Sequence, residues 1–504
     1  MKEEVMTTHD GNANEEVPQP ERSVSRRSFL RGAGLTAAAA VLAGCGVTGA
    51  DTGSGAGAGA GASAAAGGAA TGGASASAAA GGAATGGTAA SAPAAAAGAG
   101  GGTQLEFWAF SEDRLKYVRE LVQSNTWTSA HPGVTVNFRV FPYNEMHDKL
   151  LAALASGQGA PDLADVEISR FSRFIKGERV GFIPLNDRIG DEINNLYTAA
   201  ATAPWSWQDQ IYGLGNELNT CVLAYRKDLL DQAGITTPFE TWDDVIAAGK
   251  QISNEQRKMF AIHDISFGDW YMMAQHAGTT MFDEQGNYQG ANERSVAAMQ
   301  FCHDLVYKHQ IAGIAPAEAG SEWSPPTYKA AFAAEQFVAT FGPPWHFGGL
   351  IPAIQEQSGK WFAQALPRGL GDSKPTANFG GTGMCITEQS KNADVAWELV
   401  RMCNLTTEAV LTDFRIRTAY PAYKPAYEDP ALQAPSEFFG GQKIGELYSS
   451  IAPELTPFQQ SPVWPEATEA MSRLVITPVM QNQTDAQTAL TELGAEIERI
   501  KQQG

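Results

Sequence analysis

The sequence has few cysteines and no cysteine pair of the kind that holds zinc or performs redox chemistry. Apart from Cys45, the 504 residues include only Cys221, Cys302, Cys385 and Cys403, and none of these forms a C-x-x-C motif. Each of the four lies in an apolar stretch, which favours a buried thiol. We therefore expect four free, buried cysteines, with one disulfide as the alternative.

Catalytic motifs are also missing. The sequence has no H-E-x-x-H, no G-x-S-x-G and no Walker A motif, which argues against a zinc hydrolase, a serine hydrolase of that type and an ATPase. We predict no cofactor, no metal and no enzymatic activity. The remaining catalytic alternative is a secreted glycoside hydrolase, because Asp165 and Glu167 lie two residues apart and would share one side of an extended segment.

The chain lacks an excess of positive charge. Its formal net charge is -20 at pH 7, with 55 acidic and 35 basic residues. Such a surface repels nucleic acid and anionic lipid headgroups. It suits a protein that binds neutral ligands, and we expect no nucleic-acid partner.

The first 44 residues have the pattern of an export signal. Arg26 and Arg27 form a twin-arginine motif, and an apolar run follows at residues 33–43. That run is shorter than the roughly 20 apolar residues of a permanent transmembrane helix. It ends in Leu-Ala-Gly-Cys, which resembles the lipobox of bacterial lipoproteins. The resemblance implies cleavage before Cys45 and acylation of Cys45; the alternative is an uncleaved signal anchor.

Composition divides the rest of the chain into a linker and a globular part. Residues 45–102 are almost entirely Gly, Ala, Ser and Thr after the cysteine, which predicts a flexible linker. Residues 103–504 are too many for a single hydrophobic core. We expect a first lobe at about residues 103–217 plus a later segment, and a second lobe at about 222–335 plus a C-terminal segment.

The globular part begins with alternating strand and helix patterns, which indicate parallel βαβ units and an α/β fold class. The predicted strands are residues 105–110, 134–140 and 162–166, and the helices between them are residues 112–124 and 143–156. Further strands are predicted at residues 221–225, 337–341 and 383–387. A helix capped by Thr241 is predicted to follow the first of these, and the chain is mostly helical from residue 394 onward.

Several motifs resemble the ABC-transporter sugar-binding proteins, the family that includes the maltose-binding protein. They occur in the family's order between about residues 105 and 501. The motifs are A-P-D-L at 160–163, G-F-I-P-L at 181–185, Y-R-K-D-L-L at 225–230, A-G-I at 233–235, F-E-T-W-D-D at 239–244, G-P-P-W at 342–345 and S-K-N-A-D-V-A-W-E at 390–398. Arg226, Asn216 and the second proline of G-P-P-W depart from the family pattern.

The resemblance implies a two-lobed, periplasmic-binding-protein-like fold of type II, with a ligand cleft between the lobes and a first crossover near residues 216–220. A sugar site needs aromatic rings that stack on C–H faces and polar groups that bind hydroxyls. The carboxyl ends of the predicted strands, the crossover and the Trp-containing loops supply candidates. These are Ser111, Glu112, Glu167, Asn219, Phe267, Asp269, Trp270, Trp345, Gly381 and Trp464.

The sequence therefore predicts an extracellular receptor that binds a carbohydrate, most simply an oligosaccharide, and delivers it to an ABC importer by hinge closure. We expect a monomer on the outer face of the cytoplasmic membrane, exported by the twin-arginine route, anchored through lipid on Cys45 and docking on membrane permease subunits. The alternatives are a receptor of the same fold for a non-sugar solute, and the glycoside hydrolase.

Overall fold

The computed structural model describes residues 102–177, 179–318, 323 and 325–503. The predicted export signal, Cys45 and the predicted linker up to residue 101 lie outside these residues. Within the described part of the chain, no helix is both long enough and apolar enough to cross a membrane.

The strands form two larger sheets and two small strand pairs. Their bounds are β1 (Gln104–Ala109), β2 (Thr135–Val140), β3 (Leu163–Glu167), β4 (Ser206–Trp207), β5 (Gln210–Ile211), β6 (Gly213–Gly215), β7 (Val222–Arg226), β8 (Phe260–Ile262), β9 (Ala312–Ile314), β10 (Ala339–Gly342), β11 (Trp361–Gln364) and β12 (Thr382–Ile386).

Helices surround both sheets and make up most of the C-terminal part. Their bounds are α1 (Glu112–Gln123), α2 (Asn125–Ala130), α3 (Tyr143–Ser156), α4 (Ile168–Phe171), α5 (Asn186–Ile189), α6 (Thr198–Ala201), α7 (Lys227–Gln232), α8 (Trp242–Ile252), α9 (Gly268–His276), α10 (Glu293–Tyr307), α11 (Pro326–Ala333), α12 (Pro344–Leu350), α13 (Ala393–Leu405), α14 (Thr407–Arg417), α15 (Ile444–Ile451), α16 (Trp464–Met471), α17 (Thr477–Met480) and α18 (Ala486–Lys501).

The five-stranded sheet has the order β2-β1-β3-β12-β6 and contains the predicted βαβ units. β1 pairs in parallel with both β2 and β3, as the alternating pattern predicts. β12 runs antiparallel to β3 and β6. Because β1 and β3 are parallel, their carboxyl ends meet at one edge of the sheet, followed there by Ser111 and Ile168.

The three-stranded sheet has the order β10-β7-β11, with both outer strands antiparallel to β7. Every residue of β7 is buried, including Arg226, which pairs with Asp228 and Glu335. The following α8 begins with a capping box, in which Thr241 and Asp244 bind each other's backbone amide, so the predicted cap is confirmed.

Two connecting segments pass between the two larger sheets and pair with each other. Residues 216–221 lead from β6 to β7, and residues 365–381 lead from β11 back to β12. The amide of Phe379 donates to the carbonyl of Asn219 at 3.2 Å, and the amide of Cys221 donates to the carbonyl of Ala377 at 2.9 Å. The first crossover is thus present at the predicted position.

Trp205 fills a slot that glycines leave open in the five-stranded sheet. A Cβ atom at Gly383 would lie 2.5 Å from the indole, and one at Gly215 would lie 2.7 Å from it. Across the slot, the indole N–H of Trp205 donates to the carbonyl of Val166 in β3 at 2.9 Å. The indole of Trp205 therefore holds β3, the strand that ends at Glu167, in position.

The four cysteines of the globular part are buried and free, which confirms the expected thiols rather than the disulfide alternative. Burial raises the pKa of each thiol well above its usual value.

Candidate binding site

A cavity of about 530 Å³ lies where the carboxyl ends of β1 and β3 meet the connecting segments. It is large enough for a small organic ligand. A second cavity of about 540 Å³ is lined by residues such as Trp207, Pro462 and Ile500, with no strand end of the large sheet at its wall. We therefore treat the first cavity as the candidate site. Its lining consists of Phe110, Ser111, Arg114, Tyr143, Glu167, Ile168, Ser169, Glu217, Phe267, Tyr271, Trp323, Trp345, Phe379, Gly380, Gly381, Thr382, Arg417, Phe458 and Trp464.

Aromatic rings form much of the cavity wall. Phe458 stacks on Trp464 with ring centres 4.8 Å apart and an interplanar angle of 17°. Trp345 lies 5.9 Å from Phe379 and 6.3 Å from Trp323. Trp345 is 37% exposed and Trp464 is 1% exposed, so only the former presents much free surface.

The indole N–H groups of this wall are bound within the protein. Trp345 donates to the carbonyl of Phe379 at 2.9 Å, and Trp464 donates to the carbonyl of Gln459 at 3.0 Å. Trp323 donates to the hydroxyl of Ser266 at 2.9 Å. Because these polar edges are satisfied, the rings can offer their apolar faces to a ligand.

Glu167 presents one free carboxylate oxygen at the polar side of the cavity. Its Oε2 accepts three hydrogen bonds, from the hydroxyl of Tyr143 at 2.8 Å and from the amide and hydroxyl of Ser169 at 2.9 and 2.5 Å. Its Oε1 has no hydrogen-bond partner among the described residues. Burial raises the pKa of Glu167, and the three donors oppose that shift.

A charged cluster lies beside Glu167, formed by Arg114, Asp165, Glu217, Asp413 and Arg417. Arg114 binds Asp165 at 3.2 Å and Glu217 at 3.0 Å, while Arg417 binds Glu217 at 3.4 Å and Asp413 at 2.5 Å. Burial raises the pKa of Asp165 and of Asp413, against the opposing effect of the arginines. Burial lowers the pKa of Arg417 less than Glu217 and Asp413 raise it, so it stays protonated.

A comparison with known families decides what kind of protein has this cavity. The family model of bacterial extracellular solute-binding proteins matches residues 124–440. The chain belongs to this family. The solute-binding protein therefore works on the outer side of the cell membrane, and its relatives are binding proteins.

Curated relatives of the solute-binding protein include two arabinooligosaccharide-binding proteins. The one from Halalkalibacterium halodurans is 28% identical over 409 residues, covering 80% of this chain and 90% of the relative. The one from Bacillus subtilis is 25% identical over 390 residues, covering 76% and 88%.

Solved structures with the same fold include sugar receptors. The galacto-N-biose/lacto-N-biose I-binding protein of Bifidobacterium longum has a TM-score of 0.65 at 19% identity, covering 80% of this chain and 98% of that one. The GacH receptor of Streptomyces glaucescens has a TM-score of 0.63 at 18% identity, covering 79% and 98%. This likeness confirms the two-lobed type II fold of the solute-binding protein.

The structure brings six of the ten candidate residues together at the cavity, although they come from distant parts of the sequence. Ser111 and Glu167 follow parallel strands of the large sheet, and Gly381 precedes β12. The residues that line the cavity are Ser111, Glu167, Phe267, Trp345, Gly381 and Trp464.

The other four candidates do not line the cavity. Glu112 points to solvent and pairs with Arg119 at 3.1 Å, because it begins α1 on the exposed face. Asn219 is buried behind Gly381, where a Cβ would lie 2.9 Å from its amide nitrogen. Asp269 and Trp270 lie in the first turn of α9, which is buried throughout, so they bind His263 and the carbonyl of Ser295 instead of facing the cavity.

Sequence reasoning missed most of the lining. Ser169 lies two residues after Glu167, Tyr143 follows the end of β2, and Phe379 lies two residues before Gly381. These positions beside strand ends and known candidates could have included them. Glu217 lies in the predicted crossover beside Asn219, so its position there could have included it as well. Arg114 and Arg417 carry no comparable signal, because they meet Glu217 only through pairing of distant segments. The rest of the missed lining is Phe110, Ile168, Tyr271, Trp323, Gly380, Thr382 and Phe458.

Proposed function

We propose that this solute-binding protein takes an oligosaccharide into the cavity and delivers it to an ABC importer. The observation that carries the proposal is an aromatic wall facing hydrogen-bonding groups within one cavity of about 530 Å³. Sugar rings have apolar C–H faces and polar hydroxyl edges, so they match such a pair of walls. The curated relatives named as arabinooligosaccharide-binding proteins support the same ligand class.

In the proposed complex, Trp345 stacks on a sugar ring and Glu167 accepts a hydroxyl group. Trp345 has the exposed indole face that stacking requires. Glu167 offers Oε1 while Oε2 is held by Tyr143 and Ser169, so the acceptor is fixed before the ligand arrives. A preorganised acceptor loses little side-chain freedom on binding.

The carboxyl groups at the cavity favour binding over catalysis. A glycoside hydrolase needs two carboxyl groups directed at one bond. Asp165 is instead buried in the charged cluster and bound by Arg114, and it does not line the cavity. Glu217 does line the cavity, but Arg114 and Arg417 bind its two oxygens. Within the described residues, no group of His, Cys, Asp and Glu could hold a metal ion.

Closure of the two lobes would signal the bound state to the importer. The two larger sheets are joined by the paired segments at residues 216–221 and 365–381, which are the natural hinge. A ligand that touches residues on both sides stabilises the closed form by its additional contacts there.

A ligand titration tests this function. The protein is purified with Cys45→Ser to prevent acylation, and calorimetry and Trp fluorescence follow binding of arabinotriose, lactose, maltotriose and galactobiose. We expect a Kd of about 10 µM or tighter for at least one oligosaccharide. Glu167→Gln should weaken that binding about tenfold, because a charged acceptor binds a hydroxyl more strongly than an amide.

The matched control is Val140→Ala, which shortens an exposed side chain at the end of β2 outside the cavity lining. It should bind as the unsubstituted protein does. Absence of heat and of fluorescence change with every neutral oligosaccharide would remove the proposed function.

We further propose that the protein is held at the membrane by lipid on Cys45 after twin-arginine export. In cells grown with a labelled fatty acid, the intact chain should carry the label, and Cys45→Ser should not. Lys replacement of both Arg26 and Arg27 should leave the chain in the cytoplasm. Label that persists in Cys45→Ser contradicts the anchor, and normal export of the lysine variant contradicts the route.

A further inference from the structure

His147 lies directly behind the polar wall of the cavity without lining it. It is on α3, its exposed fraction is 0%, and both of its ring nitrogens bind backbone groups. Nδ1 is 2.7 Å from the carbonyl oxygen of Tyr143, and Nε2 is 3.2 Å from the amide nitrogen of Glu167. A carbonyl only accepts and an amide N–H only donates, so the ring must be neutral with its proton on Nδ1.

The imidazole also packs against two aromatic residues that line the cavity. Its centre is 5.2 Å from that of Phe110 and 5.0 Å from that of Tyr143. Tyr143 in turn donates its hydroxyl to Oε2 of Glu167. His147 therefore contacts three lining residues, and it holds the backbone and indirectly the carboxylate of Glu167.

We propose that His147 is a positioning residue for ligand binding: its neutral Nε2 fixes Glu167, and protonation of the ring releases the ligand. The proposal rests on the proposed function, since it concerns the same cavity. An imidazolium would direct its Nε2–H at the N–H of Glu167, placing two donors face to face. The segment from Glu167 to Ser169 would then have to move, and the fixed acceptor would be lost.

The surroundings of the ring keep it neutral near pH 7. The pKa of His147 is lowered to about 4, chiefly by burial and to a smaller extent by Arg170 and Arg173, while the carbonyl of Tyr143 and the carboxylate of Asp148 oppose the shift. Glu167 also faces the ring, through its amide, and burial raises the pKa of its carboxyl group. A test of acid release must therefore separate the two groups.

The first arm of the test compares His147→Leu with His147→Gln in the chain that carries Cys45→Ser. Leucine fills the space but leaves the amide of Glu167 without an acceptor, whereas the glutamine amide oxygen can replace Nε2. With the best ligand from the titration, we expect Kd to rise about tenfold or more for the leucine variant. The glutamine variant should stay within about threefold of the parent.

His309→Gln is the matched control, because His309 lies outside the cavity lining and should leave Kd unchanged. Thermal melting of each variant shows whether it is folded. If the leucine variant melts at a lower temperature but binds like the parent, His147 has only a structural role, and the proposal is overturned. Equal weakening by leucine and glutamine also overturns it, since the accepted hydrogen bond would then not matter.

The second arm follows Kd between about pH 7 and pH 4 in the parent, His147→Gln and Glu167→Gln. Affinity of the parent should fall as pH approaches the pKa of His147, about 4. The fall should be smaller in His147→Gln and should persist in Glu167→Gln. Identical profiles for the parent and His147→Gln overturn acid release. If the parent binds no sugar, the proposed function itself fails. If the parent binds sugar and the histidine variants bind equally well, only the role of His147 fails.

Discussion

Arg114 and Glu217 form an ion pair at the wall of the cavity, with Nη1 3.0 Å from Oε1 and less than a tenth of either residue exposed. Arg114 belongs to α1, and Glu217 belongs to the segment that leads from the five-stranded sheet to the three-stranded sheet. The pair thus links the helix beside the strand ends to the proposed hinge. Both partners are further bound within the charged cluster, by Asp165 and Arg417.

Arg114→Met should destabilise the fold strongly. Removing the guanidinium leaves Asp165 buried without its ion-pair partner and leaves Glu217 with Arg417 alone. An uncompensated buried charge costs about 3–5 kcal/mol. Urea unfolding measures the loss. The matched control is Arg119→Met on the same helix, whose exposed pair with Glu112 contributes less than about 1 kcal/mol. Equal losses for the two variants would contradict a stabilising role of the charged cluster.

Trp345 and Trp464 should respond differently to truncation. Trp345→Ala removes a partly exposed ring, so we expect weaker sugar binding by about tenfold with stability changed by less than about 1 kcal/mol. Trp464→Ala empties a fully buried position and should cost about 3–5 kcal/mol of unfolding free energy. Calorimetry and urea unfolding of both variants check this. Unchanged binding in a folded Trp345→Ala variant would contradict the stacking role.

Stability should fall with pH partly because of His276. Burial lowers the pKa of His276 to about 4, and Nε2 accepts the indole N–H of Trp242 at 2.9 Å. In the unfolded chain His276 becomes protonated near pH 6.5, whereas in the folded protein it stays neutral down to about pH 4. Its contribution to the free energy of unfolding is therefore complete above about pH 6.5 and is lost as pH falls toward 4.

The measurement compares the parent with His276→Gln by urea unfolding at about pH 7 and pH 4.5. Groups that titrate alike in both proteins cancel in the difference. The acid-induced loss of unfolding free energy should be roughly 2–3 kcal/mol smaller in the variant. An equal loss in both proteins would show that His276 titrates normally.

The four cysteines should be unreactive in the folded protein. They are buried, and burial raises the pKa of each thiol, so the reactive thiolate is scarce. With Cys45→Ser, a thiol reagent should label none of them in buffer and all four in concentrated guanidinium. Rapid labelling in buffer would contradict the burial, and fewer than four labels after unfolding would indicate a disulfide.

Local patterns predicted the elements well where the spacing of apolar residues and a helix-ending residue indicate the same bounds. The helix at residues 143–156 was predicted with its observed bounds, because Met146 and Leu150 mark its buried face and Gly157 ends it in the left-handed conformation. Strand ends shifted by one or two residues, as with β10. The two-lobed fold followed from the βαβ pattern together with the family motifs.

Prediction of the cavity was only partial, because a local pattern does not say which side of an element faces a distant one. Phe267 lines the cavity, while Trp270 packs inside, although both belong to one aromatic loop-to-helix motif. Glu167 was identified from its place at a strand end. Arg417 was not, because its pairing with Glu217 across 200 residues depends on tertiary structure.

The slot that holds Trp205 has a consequence for how this lineage can diverge. Its indole takes the volume that side chains at Gly215 and Gly383 would need, and it is tied to the strand that ends at Glu167. An alanine at either glycine would push the indole, and the displacement would pass to Glu167, the proposed acceptor, without any change in a residue that lines the cavity. The glycines and the tryptophan are therefore expected to be exchanged together in evolution, with a smaller ring permitting a larger neighbour.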